Sequence, residues 1–129
     1  MAGYVTNIEQ KTLENEYFRQ VLFTAKHMQV VVMAIKPSED IGEEAHHLDQ
    51  FIRIEKGDGK AILNGEEHSL KDGSIVVIPA GTKHNIINTG SSDLKLYTIY
   101  APPEHKDGTI HKTKADALEN EEHFDGQTS

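Results

Sequence analysis

The chain has 129 residues, the size of one domain, and a net charge of −8 at pH 7 from 21 acidic and 13 basic side chains. An acidic surface with no compensating cluster of Lys or Arg repels phosphate backbones, so nucleic acid is not an expected partner. The absence of cysteine excludes disulfides and thiolate metal sites. No apolar run approaches the ~20 residues of a membrane span and no secretory leader is recognisable, so we expect a cytoplasmic protein that does not enter membranes.

Short strands separated by frequent turn signals follow one another along the chain, a pattern typical of an all-β sandwich or barrel. Residues 1–16 are polar and mixed, and they form a strand, an irregular arm or a partly helical arm. Strands are predicted at residues 17–23, 30–35, 50–55, 61–63, 67–70, 74–78, 84–88 and 94–100.

The turns between these strands have recognisable chemistry. Asn64-Gly65 is a strong hairpin signal, because both central positions of a type I′ turn need positive φ. After residue 101 the composition becomes polar, and one short helix with Thr113 as its N-cap is expected within residues 113–124. We therefore expect a single domain over residues 1–129, with a core at about 28–101, an N-terminal arm at 1–16 and a C-terminal arm at 102–129.

The segment 73–88 places an imidazole at the start of a strand. Gly73 lets the chain turn into a strand, and Pro79 and Gly81 then shape a tight corner at which the glycine is available for positive φ. His84 then begins the next strand, where its side chain can point inward, and Asn88 lies on the same face by the two-residue period.

The segment 41–59 places several metal-binding side chains on one face. In an extended chain Glu44, His46 and Gln50 share parity, while His47 and Asp49 point the other way. A carboxylate, an imidazole and an amide oxygen, completed by an imidazole from a neighbouring strand, make a mixed N/O site. Such a site suits one divalent transition metal, and Zn, Fe, Mn, Ni and Co all remain open.

These two segments resemble the two motifs of the cupin family. The second motif, G-x5-P-x-G-x2-H-x3-N, is matched at every fixed position between Gly73 and Asn88. The first motif, G-x5-H-x-H-x3,4-E-x6-G, is matched in part when its last glycine is aligned on Gly57. Gln50 then replaces the glutamate, and His46 falls on the second histidine. Glu44 replaces the first histidine, and Ser38 stands at the leading glycine.

The resemblance implies a double-stranded β-helix, that is, an all-β jelly-roll cupin barrel, to which the composition adds polar terminal arms and a short C-terminal helix. It also implies a metal in the barrel mouth and a homodimer, and the chain resembles in particular the small one-domain cupins described as similar to mannose-6-phosphate isomerase. The predicted metal ligands are Glu44, His46, Gln50 and His84. Glu44 has a second interpretation as a catalytic base, and a one-residue bulge would exchange His46 for His47.

Other polar residues receive structural interpretations. Asn88 is expected to hold its loop, and Arg53 is expected on the surface or in a dimer interface because its parity is opposite to that of Gln50. If the C-terminal arm folds over the barrel mouth, His105 and His111 contact a substrate. Surface positions are predicted for the remaining histidines, namely His27, His68 and His123.

The sequence favours a metalloenzyme acting on a small polar molecule, sugar-like or dicarbonyl, by isomerase or epimerase chemistry. A metal-dependent dioxygenase is the second enzymatic hypothesis. A non-catalytic module that binds or senses a small molecule is the alternative from a different class. A relative whose metal site has decayed ranks last, because Glu44 and Gln50 are both competent donors. The fold does not name the substrate.

Overall fold

Strands dominate the computed structural model, which describes residues 2–129. The strands are β1 (Arg19–Thr24), β2 (Gln29–Ile35), β3 (Asp49–Lys56), β4 (Gly59–Leu63), β5 (Glu66–Leu70), β6 (Ile75–Ile78), β7 (His84–Asn88), β8 (Leu94–Ala101) and β9 (Ile110–His111). The helices are α1 (Ile8–Glu14) and α2 (Lys114–Glu119). Each of the eight predicted strands is present, so the turn and alternation signals located them correctly. In the described residues, neither helix has the length and apolar character that crossing a membrane requires.

Two antiparallel sheets face each other. The larger has the order β6-β3-β8-β2-β1-β9, and the smaller has the order β5-β4-β7. Strands that are distant in sequence are neighbours in both sheets, as a jelly roll requires. The predicted double-stranded β-helix is therefore confirmed.

Alternation along the strands decides which side chains enter the barrel. On β3, Gln50, Ile52 and Ile54 are buried, whereas Phe51 and Arg53 between them are partly exposed. Each fully buried aliphatic side chain stabilises the fold by roughly 1.5–3 kcal/mol relative to an exposed one. The polar Gln50 therefore occupies a position that burial would ordinarily assign to an aliphatic residue.

Helix α1 resolves the open prediction for residues 1–16. Its N-cap is Asn7, whose side-chain oxygen accepts from the amide of Gln10. The helix packs against β2, β3 and β8. Val32 and Ala34, on the outer face of β2, are therefore buried as well.

The β4–β5 hairpin fixes the register of the strand that carries His84. Asn64 and Gly65 have φ of 49° and 84°, as the type I′ prediction requires. The Asn64 side chain also accepts from the amide of Lys83, and Leu63 pairs with His84 across β4 and β7. The turn thus anchors the start of β7.

Asn88 ties the far end of β7 to the surrounding loops. Its amide nitrogen donates to the carbonyl oxygens of Ile35 and Ser92, at 2.8 and 2.9 Å, and its oxygen accepts from the amide of Gly90. The side chain is only 2% exposed, so these bonds satisfy a buried polar group. The predicted structural role of Asn88 is confirmed.

The C-terminal segment is more ordered than its composition indicates. Helix α2 begins after Thr113, whose hydroxyl accepts from the amide of Asp116, as predicted. Within residues 102–129, which were predicted as a polar arm, β9 pairs with β1 and joins the larger sheet. His105 and His111 are accordingly buried.

Candidate metal centre

A stretch of chain before β3 runs beside β7 and carries two of the predicted ligands. Glu44 and His84 form an isolated bridge, in which each amide donates to the other's carbonyl at 2.9 and 2.8 Å. A second bridge joins Asp40 to Ile87. This backbone pairing brings the Glu44 side chain next to the imidazole of His84.

Glu44, His46 and His84 form one cluster. One ligand atom from each of the three lies within 4.8 Å of the other two. The rings of His46 and His84 have centroids 5.2 Å apart, and His46 Nε2 lies 2.7 Å from Glu44 Oε2. His47 is exposed and is not part of the cluster, so of the two adjacent imidazoles it is His46 that lies beside Glu44 and His84.

The ring orientation of His84 is set by its neighbour. Nδ1 lies 2.9 Å from the carbonyl oxygen of Thr82, and because a carbonyl only accepts, Nδ1 carries the proton and donates. In the neutral ring, the form that binds a metal, this bond leaves the lone pair on Nε2. Metal-binding histidines are commonly held in this way, with the other ring nitrogen donating to a carbonyl or carboxylate.

Glu44 and His46 stabilise each other's charged forms. Burial alone would raise the pKa of Glu44, but the hydrogen bond with His46 and the charges of His46, Arg19 and His84 outweigh it and lower that pKa. Burial likewise disfavours a charged His46, but the contact with Glu44 and the charge of Glu104 raise the pKa of His46. A metal ion bound here would replace the proton shared by the two side chains.

Gln50 contributes a buried oxygen that is not hydrogen-bonded. Its amide nitrogen donates to the hydroxyl of Thr98 at 3.0 Å, while its Oε1 is buried without a hydrogen-bond partner. A buried carbonyl oxygen without a hydrogen-bond partner costs about 1–3 kcal/mol of stability, so such groups rarely lack a partner. A metal ion coordinated by this oxygen would remove that cost. Two imidazoles, a carboxylate and an amide oxygen are a donor set suited to a divalent transition metal, so the residues present fit the predicted group.

A cavity of about 610 Å³ opens beside the cluster. Its walls come from the segment before β3, from the start of β1 and from the C-terminal segment. They include Phe18, Arg19, Ile41, Glu44, His46, His47, Leu48, Pro102, Glu104, His105, Lys114, Leu118, Glu122 and His123. The C-terminal segment thus folds over the barrel mouth, which was the condition set for His105 and His111 to contact a substrate. His105 lines the cavity, whereas His111 is not among the lining residues and contacts Arg19.

A hydrogen-bonded group connects the C-terminal segment to the barrel. His105 Nδ1 lies 2.9 Å from Glu122 Oε1, and His105 Nε2 lies 3.4 Å from the hydroxyl of Tyr100. Burial lowers the pKa of His105 and raises the pKa of Tyr100, so both are neutral at pH 7. The other oxygen of Glu122 accepts from the amide of Lys106. Glu122 therefore fastens this wall of the cavity.

Replacing Glu122 by Gln should destabilise the protein by about 1–3 kcal/mol near pH 7, because the variant loses charge-assisted hydrogen bonds. Burial raises the pKa of Glu122, but His105 and the Lys106 amide outweigh it and hold that pKa below the ordinary 4.5. The stabilisation is therefore full above the unfolded-state pKa and is lost as the pH falls through the lower folded-state pKa.

Urea unfolding at about pH 7 and about pH 3.5 measures this difference. The matched control is Glu121→Gln, which alters an exposed neighbour and should change little. An equal loss of stability at both pH values would contradict the assigned role of Glu122.

The other predicted positions are as expected. His27, His68 and His123 are exposed, and Arg53 lies on the outer face of β3, with Nη2 3.5 Å from Glu55. Three charged residues that line the cavity were not predicted as site residues from the sequence, namely Arg19, Glu104 and Glu122. The available signal was that Arg19 shares the parity of Val21 in β1 and so lies on the buried face of that strand.

Comparisons with known proteins agree with this fold. Residues 31–100 match the Cupin domain family. YrkC of Bacillus subtilis is 48% identical over 126 residues, which are 92% of this chain and 68% of YrkC. The crystal structure of BH2720 from Bacillus halodurans superposes with a TM-score of 0.89 at 47% identity, covering 91% of this chain and 94% of that one. The chain therefore belongs to the cupin family.

A third relative is part of a longer regulator. The HTH-type transcriptional activator RhaS of Mannheimia succiniciproducens is 30% identical over 90 residues, which are 70% of this chain and 31% of RhaS. A domain similar to this one thus also occurs within a transcriptional activator.

Proposed function

We propose that this cupin is a metalloenzyme that acts on a small polar molecule by isomerase or epimerase chemistry. The observation that carries the proposal is the cluster of Glu44, His46 and His84 beside a cavity large enough for a sugar-sized molecule. The buried, unpartnered oxygen of Gln50 supports a fourth ligand from β3. The likeness to mannose-6-phosphate isomerase-like cupins is part of this proposal and leaves the substrate open.

The protein would contribute positioning, proton transfer and shielding from water. When bound, the metal supplies Lewis acidity that polarises a carbonyl oxygen. Two carboxylates of the cavity, Glu44 and Glu104, contact His46 and are candidates to move a proton between neighbouring carbons. The C-terminal wall, held by Glu122, limits the access of water to the reacting carbons.

A binding or sensing role is the second candidate, and the match to RhaS is the observation that favours it. In that case the barrel would hold a small molecule without turning it over. The two roles predict different results in one experiment. A catalyst of proton transfer incorporates solvent deuterium into its substrate, whereas a sensor leaves the ligand unlabelled.

The test is elemental analysis of the protein purified without a histidine tag, before and after incubation with each candidate metal. We expect about one metal per chain, as a single first-row site requires. The loaded protein is then incubated in D₂O with aldoses, ketoses and 2-oxo acids and followed by NMR. If no preparation contains metal, even after reconstitution, the metalloenzyme proposal is wrong and a barrel that binds a small molecule without metal is favoured.

A further inference from the structure

We propose that Arg19 binds a carboxylate group of the small molecule that occupies the cavity. This inference deepens the proposed function, because it takes the cavity as the ligand site and names a chemical class for its ligand. The starting observation is a charged side chain that is 93% buried in the cavity wall and forms no ion pair with a carboxylate in the described chain.

The guanidinium of Arg19 has few partners. Its Nη1 lies 3.1 Å from Nδ1 of His111, its Nε is buried without a partner, and the group lies 5.2 Å from the centroid of the Phe18 ring. No hydrogen bond from Nη2 is formed within residues 2–129. A buried cation without an ion pair is costly, so an anion that reaches it gains more than it would in water.

His111 orients the guanidinium without forming an ion pair with it. His111 Nε2 lies 3.1 Å from the carbonyl oxygen of Asn120, to which it must donate. Nδ1 is then the acceptor for Arg19, so this imidazole is neutral. Arg19 is therefore held by a neutral group, and a supporting hydrogen bond of this kind preorganises a side chain for a ligand.

Three of the carboxylates that line the cavity contact an imidazole. Glu44 contacts the imidazole of His46 at 2.7 Å, and Glu122 contacts that of His105 at 2.9 Å. Glu104 lies within 3.6 Å of His46 on one side and contacts another imidazole on the other. Each of these three carboxylates is thus held by a histidine, and none forms an ion pair with Arg19, although the charge of Arg19 helps to lower the pKa of Glu44 and of Glu122.

The charge in the cavity favours a carboxylate over a phosphate. The other basic side chain of the wall, Lys114, is already paired with Asp40. One unpaired cation can balance one negative charge, whereas a phosphate dianion would add a second charge close to several carboxylates. The planar fork of arginine also matches the geometry of a carboxylate.

The test uses the two arginines of the chain, Arg19 and Arg53, whose Nε–H groups give two separate NMR signals. The wild-type protein, loaded with zinc or stripped with a chelator, is titrated with pyruvate. In each form we expect the Arg19 signal to shift saturably while the Arg53 signal, on the outer face of β3, stays in place. The uncharged analogue pyruvamide should leave both signals unchanged, and inorganic phosphate should shift the Arg19 signal only at higher concentration.

Two variants add a second measurement. Arg19→Gln removes the charge and should weaken pyruvate binding about 10- to 100-fold, as loss of a charge-assisted contact predicts. The matched control Arg53→Gln should bind as the wild type does. If Arg19→Gln fails to fold, the wild-type NMR titration decides the question without it.

Four results would overturn the inference: equal shifts of both arginine signals, no shift of the Arg19 signal, equal responses to pyruvate and pyruvamide, or tighter binding of phosphate than of pyruvate. These failures are separate from a failure of the proposed function. If the protein never takes up metal but the Arg19 signal still shifts with pyruvate, the inference about Arg19 stands and the metalloenzyme proposal is wrong. If the protein binds metal but the Arg19 signal does not respond to pyruvate, the proposed function stands and the inference about Arg19 is wrong.

Discussion

Replacing His84 by Ala is expected to remove the metal while leaving the barrel folded. The imidazole supplies an oriented lone pair, since its Nδ1–H donates to the carbonyl of Thr82. Loss of one of four ligands should lower metal affinity by about 100-fold or more, because disturbing the outer shell alone costs about 10- to 100-fold. Bound metal, measured by elemental analysis after dialysis, should fall to a small fraction of the wild-type content.

The fold should survive this substitution because its backbone contacts do not involve the imidazole. The amide and carbonyl of residue 84 pair with Glu44, and β7 pairs with β4 along its length. Circular dichroism and thermal unfolding check this expectation. The matched control is His68→Ala, which removes an exposed imidazole from β5 and should retain the metal. Unchanged metal content in the His84 variant would show that the site lies elsewhere.

Period-two alternation predicted which side chains of the candidate site lie on the same face. Glu44, His46 and Gln50 were placed on one face by parity, and the first two lie in the cluster beside His84, while Gln50 is buried on the inward face of β3. This inference was reliable because a shift of one residue would turn every side chain to the other face, and the buried face tolerates no such shift. The hairpin at Asn64-Gly65 was predictable for an equally local reason, its need for positive φ.

The cavity wall could not be predicted in the same way. Residues 102–129 are polar, and polar composition ordinarily indicates solvated chain. Their burial depends on distant partners: β9 is a two-residue strand that pairs with β1, and Phe124 donates its amide to the carbonyl of Glu104. Neither contact leaves a periodic signal. The role of Arg19 was hidden for the same reason, since it depends on which groups the fold brings to the guanidinium.

Replacing Glu44 by Gln is the second change with a large expected effect, because it distinguishes the two predicted roles of this residue. The pKa of Glu44 is lowered, so the carboxylate is ionised at neutral pH. A general base that removes protons near pH 7 is usually tuned in the opposite direction, towards a raised pKa. We therefore expect Glu44 to be a ligand. The amide keeps the shape but not the charge, so metal affinity should fall about 10- to 100-fold.

Competition between the protein and a chromophoric zinc chelator measures this affinity. The matched control is Glu43→Gln, which neutralises an adjacent exposed carboxylate and leaves the cluster untouched. A similar loss in both variants would indicate a general effect of net charge. If the Glu44 variant held zinc as tightly as the wild type, Glu44 would be the base, and deuterium incorporation into a turned-over substrate should fall while the metal stays bound. Glu44, whose carboxylate contacts His46 at 2.7 Å, would then transfer the proton. The side-chain oxygen of Gln50 would be the main oxygen donor left for the metal.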